Sequence, residues 1–160
     1  MMKYRLVDSE EILVVGLSAE ANFQNISQVT PLLARQFMPR LNEIKSRKNV
    51  FILLLQNYNY FDFKTFNPKE TFEKWIGVEV SNLDDVPEKM DTMSITSGRY
   101  LVIDFKGSIP DFIKFWQNIH SSWLPNSKFE LDDRPHFERL PPSYNPMRTI
   151  NEEEIWIPIK

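Results

Sequence analysis

An α+β fold made of two similar halves is the architecture this chain predicts, and three observations predict it. Short runs rich in β-branched and aliphatic residues alternate with two stretches whose apolar residues recur every three or four positions. These elements come in the same order twice, strand, strand, helix, strand, strand, over about residues 1–80 and 90–160. Between the two series, Ser81 to Lys89 is acidic, turn-rich and poor in apolar residues, so it reads as a connection. The 160 residues are enough for one core and few for two, which makes a single domain over 1–160 the expectation.

In the first half, KYRLV and EILVVGL are extended runs separated by the turn-like DSEE, with Gly16 at a point where a bulge or a close backbone approach is common. Ile26, Val29, Leu33, Phe37, Leu41 and Ile44 then share one face of a helix. Thr30 before Pro31 predicts an N-cap with proline at the first helical position, and Pro39 predicts a kink or restart. VFILLL, from Val50, reads as a strand buried on both faces. Tyr58, Tyr60, Phe61, Phe63, Phe66, Phe72 and Trp75 crowd the segment after it, which suits either a hairpin packed on the core or a wall over a groove. WIGVEV closes the half as a strand.

The second half repeats this order. MDTMSITSGRYLVIDFKG supplies two extended runs punctuated by Gly98 and Gly107. Phe112, Phe115, Trp116, Ile119 and Trp123 have helical spacing, with Ser108 as N-cap, Asp111 in the first turn and Leu124-Pro125 as the stop. PHFERL and EEEIWIPIK are the last strands. Letter-by-letter similarity between the halves is weak, but the duplicated order predicts merged sheets, a pseudo-twofold axis and a cleft flanked by two helices, where a ligand would sit.

Composition excludes several classes of function. A net charge of −3 and a pI near 5.5 argue against direct nucleic-acid binding, which needs a basic surface. The absence of cysteine removes disulfides, thiolate metal sites and cysteine nucleophiles. His120 and His136 are isolated in sequence, read as surface or partly packed residues, and leave no metal site expected. The glycines form no dinucleotide fingerprint or phosphate loop, and Ser121-Ser122 lacks a nucleophile elbow, so no cofactor and no serine hydrolase are expected. No signal peptide and no membrane-length apolar run are read, and a cytoplasmic protein without membrane association is the expectation. Aromatic residues, at 13%, are abundant enough to line a pocket or fill a core.

The run Glu152-Glu153-Glu154 reads as a solvated turn, as does Asp132-Asp133. In HFERL, alternation places His136, Glu138 and Leu140 on one face and Phe137 with Arg139 on the other. Alternation alone leaves Glu138 either solvated at an edge or facing a cleft.

WIGVEV, ITSGRYLVIDFKG, WLPNSKFELDDRPHFE and the terminal EIWIPIK resemble, in that order, the GyrI-like small-molecule-binding domain, also called the AraC-type effector-binding domain. The resemblance implies strand-helix-strand-strand repeats, a curved antiparallel sheet and two helices flanking a central groove. It also implies a role for Glu138, because the family's glutamate follows an aromatic residue in a motif like FE-x-Tyr. Here that motif is Phe137-Glu138-Arg139-Leu140, so the glutamate is kept and the tyrosine is not.

Relatives of this kind use the acid to meet cationic aromatic drugs, within or beside transcription regulators. The expected function is therefore a stand-alone binder of aromatic or cationic molecules, with any regulation passing through a protein partner. A carboxylate in an aromatic, partly dry groove should have a raised pKa. A cation relieves that cost and stacks on rings for ~0.5–2 kcal/mol each. Phe37, Trp75, Tyr100, Phe112, Trp116 and Trp156 are the candidate walls, of which about half are expected to touch the groove.

Two rivals remain. One is a hydrolase of reactive cyclopropane-containing natural products, which Leu140 disfavours unless Tyr58 or Tyr100 substitutes for the missing tyrosine. The other is a gyrase-inhibitor-like interaction module. No catalytic residue is assigned.

Overall fold

A computed structural model describes residues 2–58 and 67–160. The strands are β1 (Arg5–Ser9), β2 (Ile12–Ala21), β3 (Ile52–Asn57), β4 (Phe72–Val80), β5 (Asp91–Ile95), β6 (Gly98–Gly107), β7 (His136–Leu140) and β8 (Asn151–Ile159). Helix α1 (Ile26–Phe37) follows β2 and helix α2 (Ile109–Asn118) follows β6. The order strand, strand, helix, strand, strand therefore occurs twice. Most of the aromatic segment after β3, residues 59–66, lies outside the described residues.

All eight strands join one curved antiparallel sheet in the order β1-β6-β8-β7-β3-β4-β2-β5. Exchanging each strand with its counterpart in the other half turns this order into its own reverse, the signature of a pseudo-twofold axis between β3 and β7. The outermost strands are traded: β1 of the first half pairs with β6 of the second, and β5 of the second pairs with β2 of the first.

Local chemistry explains most boundaries. Gly16 lies opposite Gly77 in the β2–β4 pairing, and a Cβ at Gly16 would run into the Ile76 carbonyl oxygen. This is the close approach that glycine permits. Ser108 caps α2, its Oγ accepting from the Asp111 N–H at 3.2 Å. Beyond α2 the chain widens into a π-helical turn at Ile119–Trp123 before Leu124 and Pro125 end it.

Helix α1 begins earlier than Thr30 suggests. Its N-cap is Asn25, in a turn where the side chains of Asn22 and Asn25 accept backbone N–H groups at 2.8–2.9 Å. Pro31 lies inside the helix, and at Pro39 the chain tightens into a 3-10 helix, Met38–Glu43. The Asn25 side chain makes no cap hydrogen bond to the helix, and early helical N–H groups go to backbone carbonyls instead, Ile26 to Asn22 and Gln28 to Asn25, each at 2.9 Å.

The two faces of the sheet are buried differently. On one face α1 covers Val15, Ile76 and Val78 with Leu33 and Phe37, while α2 and its π turn cover Leu101, Ile103, Ile155 and Ile157. Among the described residues the other face carries no helix, yet Leu53, Leu55, Trp75, Tyr100, Val102, Phe137 and Trp156 are buried there in a single cluster. Curvature folds this second face onto itself.

Candidate functional site: a buried charged cluster between the two helices

Residue parity and strand register place Glu138. Across the central seam it pairs with Leu54, which packs with the α1 cluster, and on its other side with Ile155, which belongs to the α2 cluster. It therefore lies on the helix-bearing face, between the two helices, and is 7% exposed. The same parity brings Gln56 and Lys74 to this face: Gln56 follows Leu54 by two residues, and Lys74 pairs with Gln56 across β3–β4. Both are buried. With the Gln56 amide oriented to satisfy both neighbours, its nitrogen donates to Glu138 Oε2 at 3.1 Å and its oxygen accepts from Lys74 Nζ. One neutral amide thus bridges a buried acid and a buried amine.

Burial sets the electrostatics. It pushes the Glu138 carboxyl up, against the opposing pull of Lys74 and the Gln56 hydrogen bond. It pulls Lys74 down, while Glu138 and Glu153 hold its proton on. Glu153, on the same face of β8, is pushed up to about 8 by burial and by the Glu138 charge, with Lys74 opposing. Two tyrosines respond to the cluster as well. Burial and Glu138 push the Tyr58 phenol well above its usual value. Tyr144 is pushed up to about 12 by burial and by Glu153 and Glu138.

Aromatic rings form a wall beside the floor. Trp116 of α2 contacts Phe23 at 5.5 Å between centroids and His120 at 4.4 Å. Phe23 and Tyr58 both pack on Phe72, and Tyr58 meets His136 edge-on at 5.0 Å. His120 and His136, read from sequence as surface or partly packed, are both buried. Burial pulls His120 down to about 3 and His136 well below its usual value, so both rings are neutral near pH 7. At the N-terminal end of β8 an open pocket of about 470 Å³ is lined by Phe51, Phe105, Arg139, Pro141 and Glu153. Among the described residues no cluster of acidic, histidine or cysteine side chains is placed to hold a metal.

The GyrI-like small-molecule-binding domain model matches residues 2–160. This chain belongs to the GyrI-like family. No curated protein matches it in sequence. Among solved structures it is similar in fold to SAV2435 bound to tetraphenylphosphonium, at 18% identity and a TM-score of 0.76, covering 99% of this chain and 94% of that one. It is also similar to an integron cassette protein from Vibrio cholerae, at 14% identity and a TM-score of 0.67, covering 98% and 95%. A hydrolase from Listeria innocua has 8% identity and a TM-score of 0.56, covering 99% and 92%.

Of the residues singled out from sequence, this GyrI-like chain places Glu138 on the helix-bearing face of the sheet, between the α1 and α2 clusters, and Trp116 against Phe23 and His120. Phe37 is fully enclosed beneath α1, and Phe112 packs edge-on against Phe105 at 5.4 Å beneath α2. Trp75, Tyr100 and Trp156 lie on the helix-free face. They differ from the expectation because each sits one residue away from groove parity on its strand. Tyr100 also spends its hydroxyl on the Pro135 carbonyl, donating at 2.8 Å. Glu152, Glu153 and Glu154 belong to β8 rather than to a turn, and the middle one faces the groove. Gln56, Lys74, Glu153, Tyr144 and Phe23 were not singled out as groove residues. The parity of Lys74 relative to Trp75 was a usable signal for one of them.

Proposed function

We propose that this protein binds a small aromatic cation in the groove between its helices, with Glu138 as the counter-charge. The observation that carries this reading is a buried, desolvated carboxyl beside an aromatic wall that includes Trp116. A cation offsets the desolvation cost of the carboxylate, and rings such as Trp116 and Phe23 supply faces for the rest of the ligand. The tetraphenylphosphonium bound by SAV2435 is an aromatic cation of this kind. Glu138→Gln keeps the shape and removes the charge. Its affinity for rhodamine dyes, followed by fluorescence polarisation, should fall about tenfold or more, the worth of a charge-assisted contact. Unchanged affinity rejects the reading.

A hydrolase is the second reading, because the Tyr58 and Tyr144 phenols both feel the Glu138 charge and could orient or protonate a leaving group. Tyr100 has no part in it, since it faces the other side of the sheet. Turnover of a strained cyclopropane electrophile that is lost in Glu138→Gln would favour hydrolysis. Stoichiometric binding without turnover would leave the binding role.

A further inference from the structure

The floor of the groove carries a feature that a simple cation receptor does not need. Lys74 is 3% exposed, and its amine donates to the same amide that donates to Glu138. Burying an ammonium is costly unless something compensates it, and here the compensation comes from the Gln56 amide oxygen and the Glu138 carboxylate. Around neutral pH Glu153 holds its proton for the most part, which leaves one acid, Glu138, and one amine, Lys74, joined through Gln56, a pair of no net charge whether or not the proton passes between them. His120 and His136 are neutral there, and the phenols of Tyr58 and Tyr144 keep their protons. A plain monocation therefore enters a site of no net charge and meets a buried ammonium one amide away from its counter-ion.

We infer that Lys74 is a specificity-determining residue, and that the groove selects aromatic zwitterions, molecules carrying an anionic group a few ångströms from their cationic centre, over aromatic cations without one. The inference rests on the proposed role of Glu138 and adds the second half of the recognition. The cationic centre lies against Glu138 and the anionic arm takes the Lys74 ammonium. Gln56, which has a donor and an acceptor, then keeps one contact to each side. Discrimination arises because the ester or unsubstituted form leaves the Lys74 charge facing a neutral group while still repelling the ligand's cation.

Rhodamine B and its ethyl ester isolate this effect, since they share one ring system and differ only in a free carboxylate. The intact protein should bind the zwitterionic acid about tenfold or more tighter than the cationic ester at pH 7, the worth of one charge-assisted contact. In Lys74→Met, which keeps the length and apolar stem, the acid should lose that advantage and the ester should bind more tightly than it does to the native protein. Equal affinities for the two dyes in the native protein overturn the inference without any variant. So does an unchanged ratio in a Lys74→Met protein that melts cooperatively. If the dyes bind equally and Glu138→Gln abolishes both, Lys74 has no selective role and the cation reading stands. Binding of neither dye, or binding untouched by Glu138→Gln, overturns the cation reading and this inference together.

Discussion

Phe137 and Glu138 are neighbours in the chain and sit in opposite environments. Phe137 stacks with Trp156 at 5.1 Å on the helix-free face, in a cluster of rings and aliphatic side chains. Glu138 points to the helix-bearing face, where two apolar clusters stop short of each other and charged groups fill the floor between them. The same strands build both faces. Continuous apolar cover makes one a core, whereas the gap between α1 and α2 on the other admits buried charge. On the proposed function, stability and recognition fall to opposite sides of one sheet. The helix-free face can be optimised for packing, and the groove floor gives up packing energy to hold an acid and an amine away from water.

That division can be broken experimentally, beginning with the largest effect. Phe137→Ala should cost about 3–5 kcal/mol in urea unfolding, since it opens a cavity in a closed aromatic cluster. A loss below about 1 kcal/mol would mean that the helix-free face is not the main core. The groove should behave in the opposite way. Replacing the charges together, as Glu138→Leu with Lys74→Met, should leave stability unchanged or raise it by about 1–4 kcal/mol while abolishing rhodamine binding. A large destabilisation of the double variant would show that the cluster serves the fold. Tyr100→Phe removes only the hydroxyl that serves Pro135, and should cost about 1 kcal/mol without changing dye affinity.

The smallest effect is a pH slope. The Glu153 carboxyl titrates near 8 in the fold against 4.5 for an ordinary glutamate, so between these values the native state holds the extra proton. Its stabilising contribution is complete below about pH 4.5 and is lost as pH rises toward 8. His120 acts in the other direction, because its pKa is depressed from 6.5 to about 3 and its contribution is lost only as pH falls through that range. The interval from pH 6.5 to 8 therefore lies outside the His120 range, and the Glu153 share of the slope is what a Glu153 variant removes. Native protein should lose stability across it, and Glu153→Gln should flatten the decline in thermal melts.

Much of this arrangement was legible in the sequence, because much of it is local. Alternation in HFERL separates Phe137 from Glu138, and the Ser108 cap and the apolar spacing of both helices need only short-range geometry. What failed was the choice of which parity meets which cover. Trp75, Tyr100 and Trp156 lie on strands that do run under the groove, but their faces are fixed by register with strands distant in sequence. His120, His136 and Glu153 look like surface residues by type. Their burial depends on helices and strands from both halves converging, which no local pattern records. Parity separates Lys74 from Trp75 in the sequence, but which of the two meets the helices is decided by the same distant register.

The exchanged outer strands have a mechanical consequence. Three pairings cross between the halves, β1 with β6, β3 with β7 and β2 with β5, so the two repeats are laced together at both borders as well as along the seam. Levering one repeat away from the other would unzip hydrogen-bonded ladders at three places at once, which makes a hinge between them unaffordable at ordinary temperatures. The slot between the helices keeps its width. On the proposed function, guests of different size would be met by rotation of rings such as Trp116 and Phe23, above a backbone held rigid by those ladders.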